Sequence, residues 1–106
     1  MKSLAVDYSQ FAKKVKPDWQ YIRYFPGHAI LYTHKVKQLI AMIKPTWKIL
    51  EIGCATGWLS LEMARQGAEV TGIDVSRQSI EIAQAYAREN PPRGSVTYHV
   101  SDINYT

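Results

Sequence analysis

The stretch from Trp47 to Asp74, WKILEIGCATGWLSLEMARQGAEVTGID, constrains the fold more than any other part of the chain. An apolar run, Ile49, Leu50 and Ile52, ends in a turn of small residues, Gly53-Cys54-Ala55-Thr56-Gly57. A helix-like segment follows, then a second apolar run closed by Asp74. Strand, tight turn, helix, strand, acid is the order of a βαβ unit, in which a crossover helix joins two parallel strands. Such a unit brings the turn and the positive helix end to one point at the carboxyl edge of the sheet, where bare backbone N–H groups are expected to face a nucleotide-like ligand. An acid closing the next strand lies beside that point and accepts hydrogen bonds from both hydroxyls of a ribose, which makes Asp74 the expected ribose reader.

The glycine spacing decides which nucleotide. A dinucleotide fingerprint, G-x-G-x-x-G, leaves room for a pyrophosphate at the helix end. Here the small residues stand at Gly53, Ala55 and Gly57, two apart each time, and Glu51 lies two residues before Gly53. A carboxylate at the strand end suits a ligand carrying an ammonium and a sulfonium better than one carrying two phosphates. With these residues the chain resembles the class I S-adenosylmethionine-dependent methyltransferases.

Their first motif, acid-x-Gly-x-Gly-x-Gly, has its counterpart in Glu51-Ile52-Gly53-Cys54-Ala55-Thr56-Gly57. Ala55 departs from it, and a Cβ at that position is expected to hold φ negative. The resemblance continues through Gly72-Ile73-Asp74-Val75-Ser76, like the second motif, and through Val100-Ser101-Asp102-Ile103, like the acid after the third strand. It implies an α/β fold: a Rossmann-like parallel sheet with helices, truncated after the third strand and preceded by an N-terminal helical segment. It also implies S-adenosyl-L-methionine as cofactor, bound by Glu51, Gly53, Cys54, Ala55, Gly57, Asp74, Val75 and Asp102. Glu51 would lie toward the amino end of the methionine moiety, Gly53 and Gly57 would allow close backbone approach, and Asp102 would meet the adenine amino group. Val75 would lie against the adenine ring, with a place in the core as the alternative.

The chain has 106 residues, of which 46% are apolar, enough for one domain with a modest core. Its one cysteine, Cys54, forms no internal disulfide and points to a reducing, cytoplasmic location. No histidine neighbours Cys54 in sequence, so it reads as a small residue that fits rather than as a catalytic thiol. Asp7 interrupts the opening MKSLAVDYSQ before an apolar stretch builds up, so no signal peptide is expected, and no run approaches membrane-spanning length. Residues 1–48 hold nine Lys and Arg against two acids, and residues 49–106 hold four Arg against seven acids. Lys13, Lys14, Lys16, Lys35 and Lys37 sit among apolar residues at helical spacing, which favours solvated helix faces over an anionic partner. No nucleic-acid module is legible.

Along the chain, Tyr8, Phe11, Ala12 and Val15 predict a short helix over 3–16, and the aromatic stretch from Trp19 to Gly27 reads as a packed loop or lid. Residues 1–46 are thus a leading helical segment, and 47–106 a cofactor-binding half. From His28 to Lys44, Tyr32, Val36, Leu39, Ile40 and Ile43 form one helical stripe, stopped by Pro45. His28 and His34 do not share a helix face as an i, i+4 ligand pair would, so no metal site is expected. A strand over 47–53, a helix over 57–66 with Leu59 and Met63 toward the sheet, and a strand over 69–74 follow. Ser76 then caps a helix to Glu89, Pro91-Pro92 ends it, and a strand runs from Ser95 to Val100 with His99 packed inside it.

In the family the first strand pairs with a fourth, which this chain does not encode. An apolar edge of the first strand is therefore expected, and with it a fragment of a longer enzyme or self-association through that edge. The implied reaction is in-line transfer of the sulfonium methyl to an acceptor, a small molecule by default, with no catalytic side chain assignable. A nicotinamide-dependent oxidoreductase is the alternative enzyme, and a non-catalytic assembly module the alternative of another class.

Overall fold

The computed structural model describes residues 29–102. The expected helix over 3–16, the aromatic stretch from Trp19 to Gly27 and His28 lie outside the described residues. The described elements are α1 (Ala29–Met42), β1 (Lys48–Ile52), α2 (Trp58–Arg65), β2 (Glu69–Asp74), α3 (Arg77–Glu89) and β3 (Ser95–Val100). The strands form one parallel sheet in the order β1-β2-β3.

Register explains how the sheet is covered. Ile49, Val70 and Val96 form one row across the strands, and Glu51, Gly72 and Tyr98 the next row on the same face. Side chains alternate between faces along a strand, so both rows point the same way. On this face Val70 packs with Met63 and Ala64 of α2, with Ala68, and with Ile43 just beyond α1. Tyr98 packs with Cys54 and with Ile80 and Ala83 of α3. Val36 and Ile43 are buried and Ile40 half-buried, at the i, i+4, i+7 spacing that lays one stripe on the core. Leu39, expected in that stripe, is exposed at its margin.

The three described helices therefore lie on one face. The opposite face carries Leu50 and Ile52, 57% and 55% exposed, in rows with Thr71 and Ile73 of β2 and Thr97 and His99 of β3. Parallel sheets are usually covered on both sides, and burying each such aliphatic chain contributes ~1.5–3 kcal/mol. The expected edge is present, since β1 pairs only with β2 among the described residues. Beside that edge, Leu50 and Ile52 expose the outward face of β1 as well. His99 is exposed on the same sheet face, not packed inside the strand as expected.

Helix α2 is more buried than one sheet-facing stripe requires: Trp58, Ser60, Leu61, Glu62, Met63 and Ala64 are all buried. Trp58 meets Val36 of α1, and Leu59 lies between that pair and the sheet-side cluster. Helix α3 starts as the sequence predicts, with Ser76 Oγ accepting from the Ser79 N–H at 3.2 Å.

Candidate functional site

The turn over residues 53–57 sits at the carboxyl end of β1, and four of its backbone donors are engaged within the chain. The Gly53 and Cys54 N–H groups both donate to the Ile73 carbonyl, at 2.8 and 2.9 Å, and the Gly57 N–H donates to the Cys54 carbonyl at 2.9 Å. The Ala55 N–H donates to Asp74 Oδ1 at 3.1 Å. The expectation of bare N–H groups awaiting a ligand is thus corrected: these four stitch the turn to β2 and to itself, the arrangement that buried backbone groups require.

Ala55 also departs from expectation. Its φ is +51°, in the left-handed region, between Gly53 at +73° and Gly57 at +83°. A Cβ there costs ~1–2 kcal/mol relative to the right-handed region. The hydrogen bond to Asp74 accompanies that conformation, and the tertiary contact overrides the residue's own preference.

The two outer glycines serve different needs. A Cβ on Gly57 would lie 2.6 Å from the Tyr98 ring and hydroxyl, so this glycine makes room for Tyr98. A Cβ on Gly53 would meet nothing within 4 Å. That open space borders a cavity of about 160 Å³ lined by Ile52, Gly53, Ile73, Asp74, Val75, Ser101 and Asp102. Of the expected site residues, the cavity brings together Gly53, Asp74, Val75 and Asp102. Glu51, Cys54, Ala55 and Gly57 are not in its lining.

Asp74, half-buried at the end of β2, is held by both oxygens: Oδ1 accepts from Ala55, and Oδ2 from the Ser76 N–H at 3.0 Å. A carboxylate oxygen accepts more than one hydrogen bond, so this grip fixes the group while leaving acceptor capacity. Val75 is 68% exposed, which removes the core alternative and leaves it as an apolar lip of the cavity. Ser101, at the far end, donates its N–H to the Asp74 carbonyl at 3.0 Å and carries the β2–β3 pairing up to Asp102.

Glu51 takes the Ser60 hydroxyl at 2.5 Å and is also bonded by the Ser60 backbone, so it caps the start of α2, where Gly57 offers no side chain. Burial raises its pKa from the ordinary 4.5 to about 7; the two Ser60 bonds oppose that rise and the Asp74 charge adds to it. Glu51 borders a separate apolar hollow of about 300 Å³ with Leu39, Trp47, Leu59 and Met63 among its walls.

Cys54 is 3% exposed and packs with Ile80, Ala83 and Tyr98, and burial pushes its thiol up to about 12, with Glu51 and Asp74 adding to the rise. It is a core residue with an inert thiol. The sequence reading passed over Tyr98, Ser60 and Thr56. Tyr98 alternates with Val96 and Val100, a period-two pattern that marks one strand face; nothing in the sequence ties Ser60 to Glu51. Thr56 Oγ1 is buried with no hydrogen-bond partner among the described residues, and it lies in the same turn.

The donor set is selective. Two carboxylates and Ser101 face a cavity whose described lining holds no lysine or arginine. That composition fits the hydroxyls, amino groups and positive charge of an adenosyl sulfonium, and it opposes a diphosphate. Whole ligand pockets run to ~300–1,000 Å³, so the described residues line a fraction of one.

Known proteins agree with this geometry. The family model described as a methyltransferase domain matches residues 49–106. Over 58 residues the chain is 41% identical to the magnesium-protoporphyrin O-methyltransferase of Rhodobacter capsulatus, an overlap of 53% of this chain and 25% of that protein. Over 43 residues it is 51% identical to the ubiquinone biosynthesis O-methyltransferase of Actinobacillus pleuropneumoniae, covering 41% of this chain and 18% of the relative. Among solved structures, a S-adenosylmethionine-dependent methyltransferase of Methanosarcina mazei superposes with a TM-score of 0.54 at 32% identity, covering 61% of this chain and 32% of the other. The matched region thus spans a quarter or less of these two curated relatives.

Proposed function

This chain belongs to the class I S-adenosylmethionine-dependent methyltransferases, and from that premise we propose that its residues 47–106 form the cofactor-holding half of an enzyme that methylates a small molecule. The observation that carries the reading is Asp74, fixed by two backbone donors beside the open space at Gly53 and the second carboxylate, Asp102. S-adenosyl-L-methionine supplies the methyl group on a sulfonium, and the protein's part is to hold two reactants in line.

Each residue has a role in this reading. Asp74 accepts from the ribose hydroxyls, Asp102 from the adenine amino group, and Val75 lies on the adenine ring. Gly53 lets the ligand approach the backbone. Glu51 draws the amino end, and its anionic form is the one that serves. Cys54, Ala55 and Gly57 form the turn against which the cofactor lies. Residues 1–46 are the leading segment, and the acceptor is bound outside the described residues.

The small-molecule acceptor is supported by the relatives, named for a magnesium-protoporphyrin and for ubiquinone biosynthesis. Among the described residues no helix is long and apolar enough to cross a membrane. With the lone buried Cys54, that is consistent with the cytoplasmic location we propose. The bare face and edge of β1 remain the surface through which this chain would associate with itself.

Titration calorimetry with S-adenosylhomocysteine, and with NADH as control, tests the reading. Saturable binding of S-adenosylhomocysteine alone is expected. Binding of NADH alone, or of neither by a folded chain, would refute it.

A further inference from the structure

We propose that Tyr98 is a positioning residue of the cofactor turn, fixing through its hydroxyl the end of that turn from which α2 starts. The inference rests on the function proposed above. Tyr98 is 4% exposed on β3, and its hydroxyl donates to the Gly57 carbonyl at 2.8 Å. The same carbonyl accepts the Leu61 N–H at 3.0 Å, the bond that opens α2. A single acceptor thus couples the third strand to the helix that leaves the first.

The surroundings are shaped to this side chain. A Cβ on Gly57 would lie 2.6 Å from the ring, and one on Gly72 would lie 2.9 Å from it and 3.0 Å from both Cys54 Sγ and Ser60 Oγ. Two positions without side chains, one in the turn and one in β2, let the ring cross above β2 to reach the turn. Phenylalanine would fill that space equally well, so packing alone does not account for the hydroxyl. Its bond reaches across 41 positions of sequence.

With it, each described strand contributes one side chain to the turn or to the helix that leaves it. Glu51 of β1 holds Ser60, Asp74 of β2 holds Ala55, and Tyr98 of β3 holds Gly57. Asp74 and Gly53 line the cavity, and both are joined to this turn. Loosening the Gly57 end therefore loosens the frame that holds the Asp74 carboxylate.

The test compares Tyr98→Phe with Ile80→Val, a core change in the same cluster, where Ile80 packs with Cys54 and Tyr98 but its side chain makes no hydrogen bond to the turn. Both are assayed where each is fully folded, by S-adenosylhomocysteine titration and by amide hydrogen exchange. We expect Tyr98→Phe to raise Kd about five-fold, the equivalent of ~1 kcal/mol for one hydrogen bond, and to speed exchange at Gly57 and Leu61. Ile80→Val should leave Kd and those two amides unchanged. Wild-type behaviour in Tyr98→Phe, or equal changes in both variants, would overturn the proposal. If the wild-type chain binds no S-adenosylhomocysteine, the functional reading fails separately, and exchange at Gly57 and Leu61 still decides whether Tyr98 fixes the turn.

Discussion

Replacing Glu51 by glutamine should remove most of the pH dependence of this chain's stability near neutrality. Burial raises the folded pKa of Glu51 from 4.5 to about 7. Between those values the folded chain binds more protons than the unfolded one, so stability falls as pH rises through the window. The full shift corresponds to ~3 kcal/mol, present below pH 4.5 and lost above pH 7. Glutamine keeps a carbonyl oxygen to accept from Ser60 and has no proton to lose. At pH 5 the variant and the wild type should therefore be nearly equal. At pH 8 the variant should be the more stable by up to ~3 kcal/mol. Urea unfolding followed by circular dichroism at pH 5, 6, 7 and 8 measures both series. Parallel pH profiles, or a variant less stable than the wild type at pH 8, would refute the reasoning. A buried carboxylate that destabilises the empty protein at physiological pH makes sense if a cationic ligand group compensates it. The same substitution should accordingly weaken S-adenosylhomocysteine binding at pH 8.

Gly57→Ala should destabilise the fold by more than ~2 kcal/mol in chemical denaturation, since it adds a left-handed strain to a Cβ 2.6 Å from Tyr98. Ala55→Gly should move stability the other way by a few tenths to ~1 kcal/mol, because relief at φ +51° outweighs the extra freedom of the unfolded glycine; a loss of stability would count against the strain. Cys54, buried and pushed up to about 12, should react with a thiol reagent at pH 8 only as fast as the chain opens, so urea should accelerate labelling and fast labelling of the native chain would contradict its place in the core.

The order of elements was legible because punctuation and periodicity agree. Pro45 follows α1, Gly67 follows α2 at φ +100°, and Ser76 caps α3, each where sequence alone put it. The cavity residues Gly53, Asp74 and Asp102 were legible for a related reason: parallel strands place their closing residues at one edge. What escaped depends on contacts across the register. The positive φ of Ala55 goes with a carboxylate 19 positions away, and the burial of α2 on nearly all sides depends on α1 lying against it. Tyr98 and Ser60 were invisible as site residues because their partners, Gly57 and Glu51, are fixed only once the sheet and turn have formed. The bare face was missed because Leu50 and Ile52 read as ordinary strand residues; only the layout shows the three described helices on the other side.

The central claim is that Gly53, Asp74, Val75 and Asp102 receive the adenosyl end of the cofactor. Backbone amide shifts of the isotope-labelled chain, followed while S-adenosylhomocysteine is added to saturation, test it most directly. The account predicts that the largest changes fall at Gly53, Asp74, Val75 and Ser101-Asp102, with little at Pro92-flanking residues or along α3. Saturable changes centred instead farther along the uncovered sheet face, at Leu50 and Thr71, or on the groove between α3 and β3 lined by Gln84, Arg88 and Thr97, would contradict it.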